Sequence, residues 1–148
     1  MAPEDIKQVR RTWARLVLER KVFGLMFYKR LFELAPETRV LFSPSLDVQG
    51  EKLFITLNWI VDNLSDDGKV FAAAEDLAIR HLAYGVEAKD YPAVGIALVD
   101  TLEEGLDGSI TQAEKDAWAN IYGELADAMI AAAYPETSPS GRPTIRRF

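Results

Sequence analysis

One histidine and no cysteine set the terms for whatever chemistry this chain can perform. Without cysteine, disulfides, thiolate metal sites and thiol nucleophiles are excluded together. A zinc site would need an improbable set of carboxylates around His81, and a Ser-His-Asp triad would have to use that same imidazole. G-x-S-x-G is absent, as are the glycine-rich spacings that cradle phosphates, which argues against nucleotide-binding enzymes. A lone histidine near a helix end has two readings. It can favour the helix dipole or satisfy a core hydrogen bond. Alternatively it can be the single axial ligand of a haem iron, because a porphyrin supplies the other four nitrogens itself. For that second chemistry one histidine is enough.

Tyr28 carries a phenol that can donate a hydrogen bond, and Gln49 an amide that can do the same. Taken alone, Tyr28 reads as a core aromatic with its hydroxyl satisfied elsewhere and Gln49 as a solvated helix residue. Arg80 and Lys52 are positioned to pair with anionic groups or to remain solvated charges.

These side chains need a frame, and the apolar spacing predicts one made of helices. Intervals of three and four residues recur along nearly the whole chain, whereas strand-like alternation is missing, so the fold class is all-α. Pro3, Glu4 and Asp5 suit a helix start, followed by a stripe of Ile6, Val9, Trp13, Leu16 and Val17. A second helix over 21–34 has apolar residues around most of its circumference and is expected to be largely enclosed. Pro36 begins a short helical turn to Phe42, and Ser43-Pro44-Ser45 reads as a loop. A helix over 47–64 puts Gln49, Lys52, Leu53, Thr56 and Ile60 along one side. After a turn at Ser65-Asp66-Asp67-Gly68, a helix over 69–84 carries His81 in its last turn and is stopped by Gly85. Asp90 is expected to cap a helix reaching Leu106, and Asp107-Gly108-Ser109 breaks it. Thr111 and Glu114 have capping-box spacing ahead of a last helix that buries Trp118, Ile121, Tyr122, Leu125 and Met129. From Tyr134 onward, Pro135, Pro139 and Pro143 cannot sustain a helix. The chain therefore divides into one domain over 1–133 and a flexible Pro- and Arg-containing tail over 134–148.

The 148 residues carry a formal charge of −6, with the Lys and Arg residues scattered, so nucleic acid is not an expected partner. No apolar run approaches the ~20 residues of a membrane span. The opening Met1-Ala2-Pro3-Glu4-Asp5 lacks the features of a signal peptide, and a cytoplasmic location without membrane contact is expected.

One stretch makes the histidine more specific: Ile79-Arg80-His81-Leu82-Ala83-Tyr84-Gly85-Val86, followed by Asp90-Tyr91-Pro92-Ala93-Val94-Gly95. Upstream stand Phe27-Tyr28-Lys29-Arg30-Leu31-Phe32, Ala35-Pro36-Glu37 and Val40-Leu41-Phe42, and downstream Trp118 and Tyr122 form a W-x-x-x-Y pattern. In this order the segments resemble the globin family, in particular bacterial single-domain globins and the haem domain of flavohaemoglobins. The resemblance covers roughly residues 4 to 133.

The resemblance implies a globin fold of about six to eight helices around one haem b. It implies that His81 is the proximal iron ligand, with Tyr91 hydrogen-bonding near it. It places Phe42 as a wedge against the haem, Tyr28 and Gln49 on the distal, gas-facing side, and Leu53 one turn beyond Gln49. Val86, Val94 and Leu98 are implied haem contacts, and Arg80 or Lys52 partners for the propionates. The implied function is reversible binding of oxygen, nitric oxide or carbon monoxide. Two alternatives are nitric oxide dioxygenation with an external reductase, the chain being expected to hold no reductase domain, and gas sensing. In one respect the chain departs from the pattern: Pro135 stands where flavohaemoglobins place a glutamate that completes a proximal His-Tyr-Glu network.

Overall fold

The computed structural model describes residues 1–16, 18–42 and 45–134, and every regular element among them is helical. Six α-helices follow in order: α1 Pro3–Arg15, α2 Arg20–Leu34, α3 Leu46–Asp62, α4 Asp67–Ala83, α5 Tyr91–Gly105 and α6 Gln112–Ala133. Short 3₁₀ turns at Pro36–Leu41 and Ala88–Asp90 follow α2 and precede α5. Val17, the Ser43-Pro44 part of the expected loop and all of the expected tail except Tyr134 lie outside the described residues. None of the helices described is long and apolar enough to cross a membrane.

The helices follow the apolar pattern, with three corrections. Gly68 belongs to α4, because Asp66 Oδ1 accepts the Lys69 N–H at 3.2 Å and so starts the helix earlier than the turn-forming residues suggest. Asp90 stands at the N-cap of α5 without capping it by its side chain; its carboxylate turns back to the Glu87 N–H at 2.8 Å and closes the preceding 3₁₀ turn. The third correction concerns α2. It is buried along one side only, through Phe23, Gly24, Phe27, Tyr28 and Leu31, while Val22 and Leu25 remain more than two-fifths exposed. Its apolar residues outnumber the positions that neighbouring helices cover.

The core is gathered by α2, which packs on both α3 and α5, and by α6, which packs on α1, α4 and α5. Trp13, Phe23, Phe54 and Trp118 join α1, α2, α3 and α6 at ring-centroid distances of 5.0 to 6.0 Å. A polar lock fastens α1 to α6. Glu114, almost fully buried, completes the capping box with Thr111 and also accepts from Thr12 Oγ1 at 2.6 Å and from Arg15. Burial pushes its carboxyl upward, but the hydrogen bonds from Arg15, Thr12 and Thr111 outweigh that and hold it at about 2.

Although α3 and α4 are consecutive, neither is a principal packing partner of the other: α3 leans on α2, and α4 on α6. Phe42, next to the start of α3, and Leu53 on it remain only half-buried.

Candidate functional site

His81 sits in the last turn of α4, and the way that helix ends fixes its backbone. Gly85 adopts φ +94°, a left-handed conformation that favours glycine. With it, the Gly85 N–H donates to Leu82 O at 3.1 Å and the Val86 N–H to His81 O at 3.2 Å, the paired bonds of a Schellman ending. The Tyr134 hydroxyl, at the end of α6, donates in turn to Val86 O. The histidine backbone is thus tied through Val86 to a second helix. Sequence reading assigned Tyr134 to the tail and missed this tether, whose only local signal is an aromatic residue at the helix boundary.

The imidazole itself is half-buried. Desolvation, and after it the charge of Arg80, lower its basicity, so the ring is neutral near pH 7 with a lone pair to offer. Arg80 is exposed and pairs with Asp76 at 3.3 Å, one turn back on the same helix.

Tyr28 lies on α2 and is 5% exposed. Its ring meets Phe27 at 5.2 Å, Phe32 at 5.9 Å and Phe42 at 4.9 Å, the last edge to face. Arg39, whose guanidinium stands 5.4 Å from the Phe32 ring centroid, helps hold the Pro36–Leu41 turn over α2. Burial pushes the Tyr28 phenol up to about 12, and its hydroxyl makes no hydrogen bond among the described residues. It is a neutral donor with no internal acceptor.

Gln49 and Leu53 are half-buried on the first turns of α3, and Lys52 between them is exposed. Their distance from Tyr28 is set by a crossing that sequence reading overlooked. Gly24 and Gly50 face each other where α2 and α3 meet, and a Cβ at Gly24 would stand 2.2 Å from the Gly50 Cα. Tyr28 is one turn along from Gly24, while Gln49 and Leu53 flank Gly50 on the other helix. Two small residues in the middle of apolar helices were the available signal.

On α5, Tyr91 is buried and its hydroxyl has no hydrogen-bond partner among the described residues. Tyr122 Oη donates to Tyr91 O at 2.7 Å and fastens the start of α5 to α6. Leu98 is buried in the core, and Val86 and Val94 are half-buried. Pro135 and Glu136, at and beside the position of the family's proximal glutamate, lie outside the described residues.

The match to known proteins agrees with this architecture. The Globin family model matches residues 25–129, which span the elements just described except α1, the first five residues of α2 and the last turn of α6. The chain belongs to the globin family. A flavohemoprotein of Rhizobium meliloti is 32% identical over 106 residues, covering 70% of this chain and 26% of its own length. One from Bordetella pertussis is 32% identical over 107 residues, covering 70% and 27%. This globin therefore spans about a quarter of the curated relatives it matches, and it resembles their haem domain. Ferric Aplysia limacina myoglobin superposes with a TM-score of 0.79 at 23% identity, over 89% of this chain and 98% of that one. At that identity the likeness shows the fold.

The residues present suit a flat apolar prosthetic group. Phe42, Leu53, Val86 and Val94 are apolar and only half covered, the flanking helices α3 and α4 are not packed together, and a neutral imidazole is available from α4. No cluster of three or more His, Cys, Asp or Glu side chains able to hold a bare metal ion occurs among the described residues.

Proposed function

We propose that this globin binds a haem b through His81 and reversibly holds oxygen, nitric oxide or carbon monoxide on the Tyr28 and Gln49 side. Haem, when bound, supplies the four equatorial nitrogens and an iron that takes up a diatomic gas. His81 would offer the iron its ring nitrogen, and the Schellman ending and the Tyr134 tether hold the backbone that carries it. Phe42, Leu53, Val86, Val94 and Leu98 give the apolar walls, and Arg80 or Lys52 the positive charge for the propionates. Tyr28 and Gln49 donate hydrogen bonds toward the gas and slow its escape.

The observation that carries this reading is Tyr28: a neutral phenol whose ring is buried against Phe42 and whose hydroxyl makes no hydrogen bond among the described residues, leaving it free to donate. Absorption spectra of the haem-reconstituted protein in ferric, ferrous and carbonyl forms test the proposal. A Soret band that shifts with carbon monoxide supports it, and a chain that retains no haem overturns it.

The likeness to flavohemoproteins favours a second reading, in which nitric oxide and oxygen combine to nitrate with one electron from a separate reductase. Nitric oxide turnover measured beside oxygen dissociation separates the two. Slow dissociation with negligible turnover leaves storage or sensing.

A further inference from the structure

The connection that leads from His81 into α5 is fastened by residues of two other elements. Tyr134, the C-cap of α6, donates its hydroxyl to Val86 O. Tyr122, on the same helix, donates to Tyr91 O at 2.7 Å. Its ring lies so close over α5 that a Cβ at Gly95 would stand 2.7 Å from it. A further contact comes from the turn after α2. Leu41, its last residue, lies against Gly85, where a Cβ would meet Leu41 Cδ2 at 3.5 Å, ordinary packing distance.

That turn is itself held in place. Thr38 is buried and its hydroxyl donates to Ala35 O at 2.7 Å. Arg39 stands over the Phe32 ring, and Phe42, next to Leu41, meets the Tyr28 ring edge to face. On the other side of the contact, the Gly85 and Val86 N–H groups are the ones that close the end of α4 on Leu82 and His81. Tyr28 and His81 are thus joined through protein alone, by way of Phe42, Leu41, Gly85 and Val86. Close-packed contacts of this kind transmit a displacement rather than absorb it, and a ligand whose backbone is fixed in advance holds its geometry when the group it binds arrives.

We propose that Leu41 and Tyr134 are positioning residues for His81: Leu41 fixes the connection against the turn beside Tyr28, Tyr134 fixes it against α6, and together they set the imidazole in place before haem enters. The inference rests on His81 as the haem ligand proposed above. Tyr122 holds the α5 end of the same connection and serves as the control.

Two measurements on the full chain test it, one without haem and one with it. In the apoprotein, hydrogen exchange at the Gly85 and Val86 amides is expected to be slowed in the parent. It should speed up roughly 2–10-fold in Tyr134→Phe, which loses one hydrogen bond, and also rise in Leu41→Ala, with the middle of α5 unchanged. In the ferrous haem-reconstituted protein, the iron–histidine stretching band of the resonance Raman spectrum is expected to be single and narrow. It should shift or broaden in Tyr134→Phe and in Leu41→Ala, whereas Tyr122→Phe lowers the melting temperature and leaves the band in place. A band identical in the parent, Tyr134→Phe and Leu41→Ala overturns the proposal. So does a parent apoprotein whose Gly85 and Val86 amides exchange freely, because haem and not the chain then orders the end of α4. A band altered equally by Tyr122→Phe overturns the assignment to Leu41 and Tyr134. Protected amides in a parent that shows no iron–histidine band overturn the haem reading itself, and this inference with it.

Discussion

Gly24 and Gly50 touch backbone to backbone, a Cβ at the first standing 2.2 Å from the Cα of the second and a Cβ at the second 2.9 Å from the Cα of the first. This contact fixes the distance between α2 and α3, and so the distance between Tyr28 and Gln49. Gly24→Ala forces the helices apart. The overpacking costs about 1–3 kcal/mol, against which the better helix propensity of alanine returns at most about 1. The expected result is a melting temperature several degrees lower, with faster oxygen dissociation as the two donors separate. Thermal unfolding and stopped-flow dissociation read both effects, and an alanine variant more stable than the parent contradicts the crossing.

His81→Ala removes the only imidazole in a chain without thiolates. Haem is expected to be lost or greatly loosened, because nothing equivalent can take the axial position. Gel filtration after reconstitution, followed at the Soret band, measures the loss. A five-coordinate histidine-type spectrum retained in the variant would contradict the assignment.

Tyr28→Phe deletes one hydrogen-bond donor while keeping the ring against Phe42. Loss of about 1–2 kcal/mol corresponds to roughly 5–30-fold faster oxygen dissociation. Because burial pushes the phenol up to about 12, it remains a donor throughout the neutral range, and the parent rate is expected to be flat from about pH 6 to 9. A dissociation rate unchanged in Tyr28→Phe would place that residue away from the gas.

Glu114 governs acid stability. Its folded carboxyl is held at about 2, below the ordinary 4.5, by Arg15, Thr12 and Thr111. A depressed carboxylate stabilises the fold fully above the unfolded value and loses that contribution as pH falls from about 4.5 to 2. The contribution is roughly 3 kcal/mol. Glu114→Gln is therefore expected to be less stable at pH 7 and to show a shallower decline between pH 5 and 3. Urea unfolding at a series of pH values decides this; parallel pH profiles for parent and variant count against the lock.

Residue types and their order fixed the helical class, several of the helix ends and the chemistry available at each candidate position. Apolar periodicity located α1 to α6, Gly85 and Asp107-Gly108 ended α4 and α5 where their backbones turn left-handed, and the T-x-x-E spacing formed its capping box. These are local effects, governed by neighbours within a turn or two. His81 stood out as the one imidazole of the chain; the other side chains proposed for the site came from the family resemblance, because their types alone read as core or solvated residues.

What the sequence left open depends on contacts between segments far apart in the chain. That Glu114 also takes Arg15 and Thr12, that Tyr134 reaches Val86, and that Gly24 meets Gly50 are pairings across 26 to 102 positions, and no local period encodes them. Tertiary packing likewise decided that α2 is covered on one side only and that Arg80 and Lys52 stay exposed. It also let α3 and α4 diverge, each drawn to a different partner helix. Which helix packs on which is set by the surfaces that win burial across the whole molecule, a competition that only the assembled chain resolves.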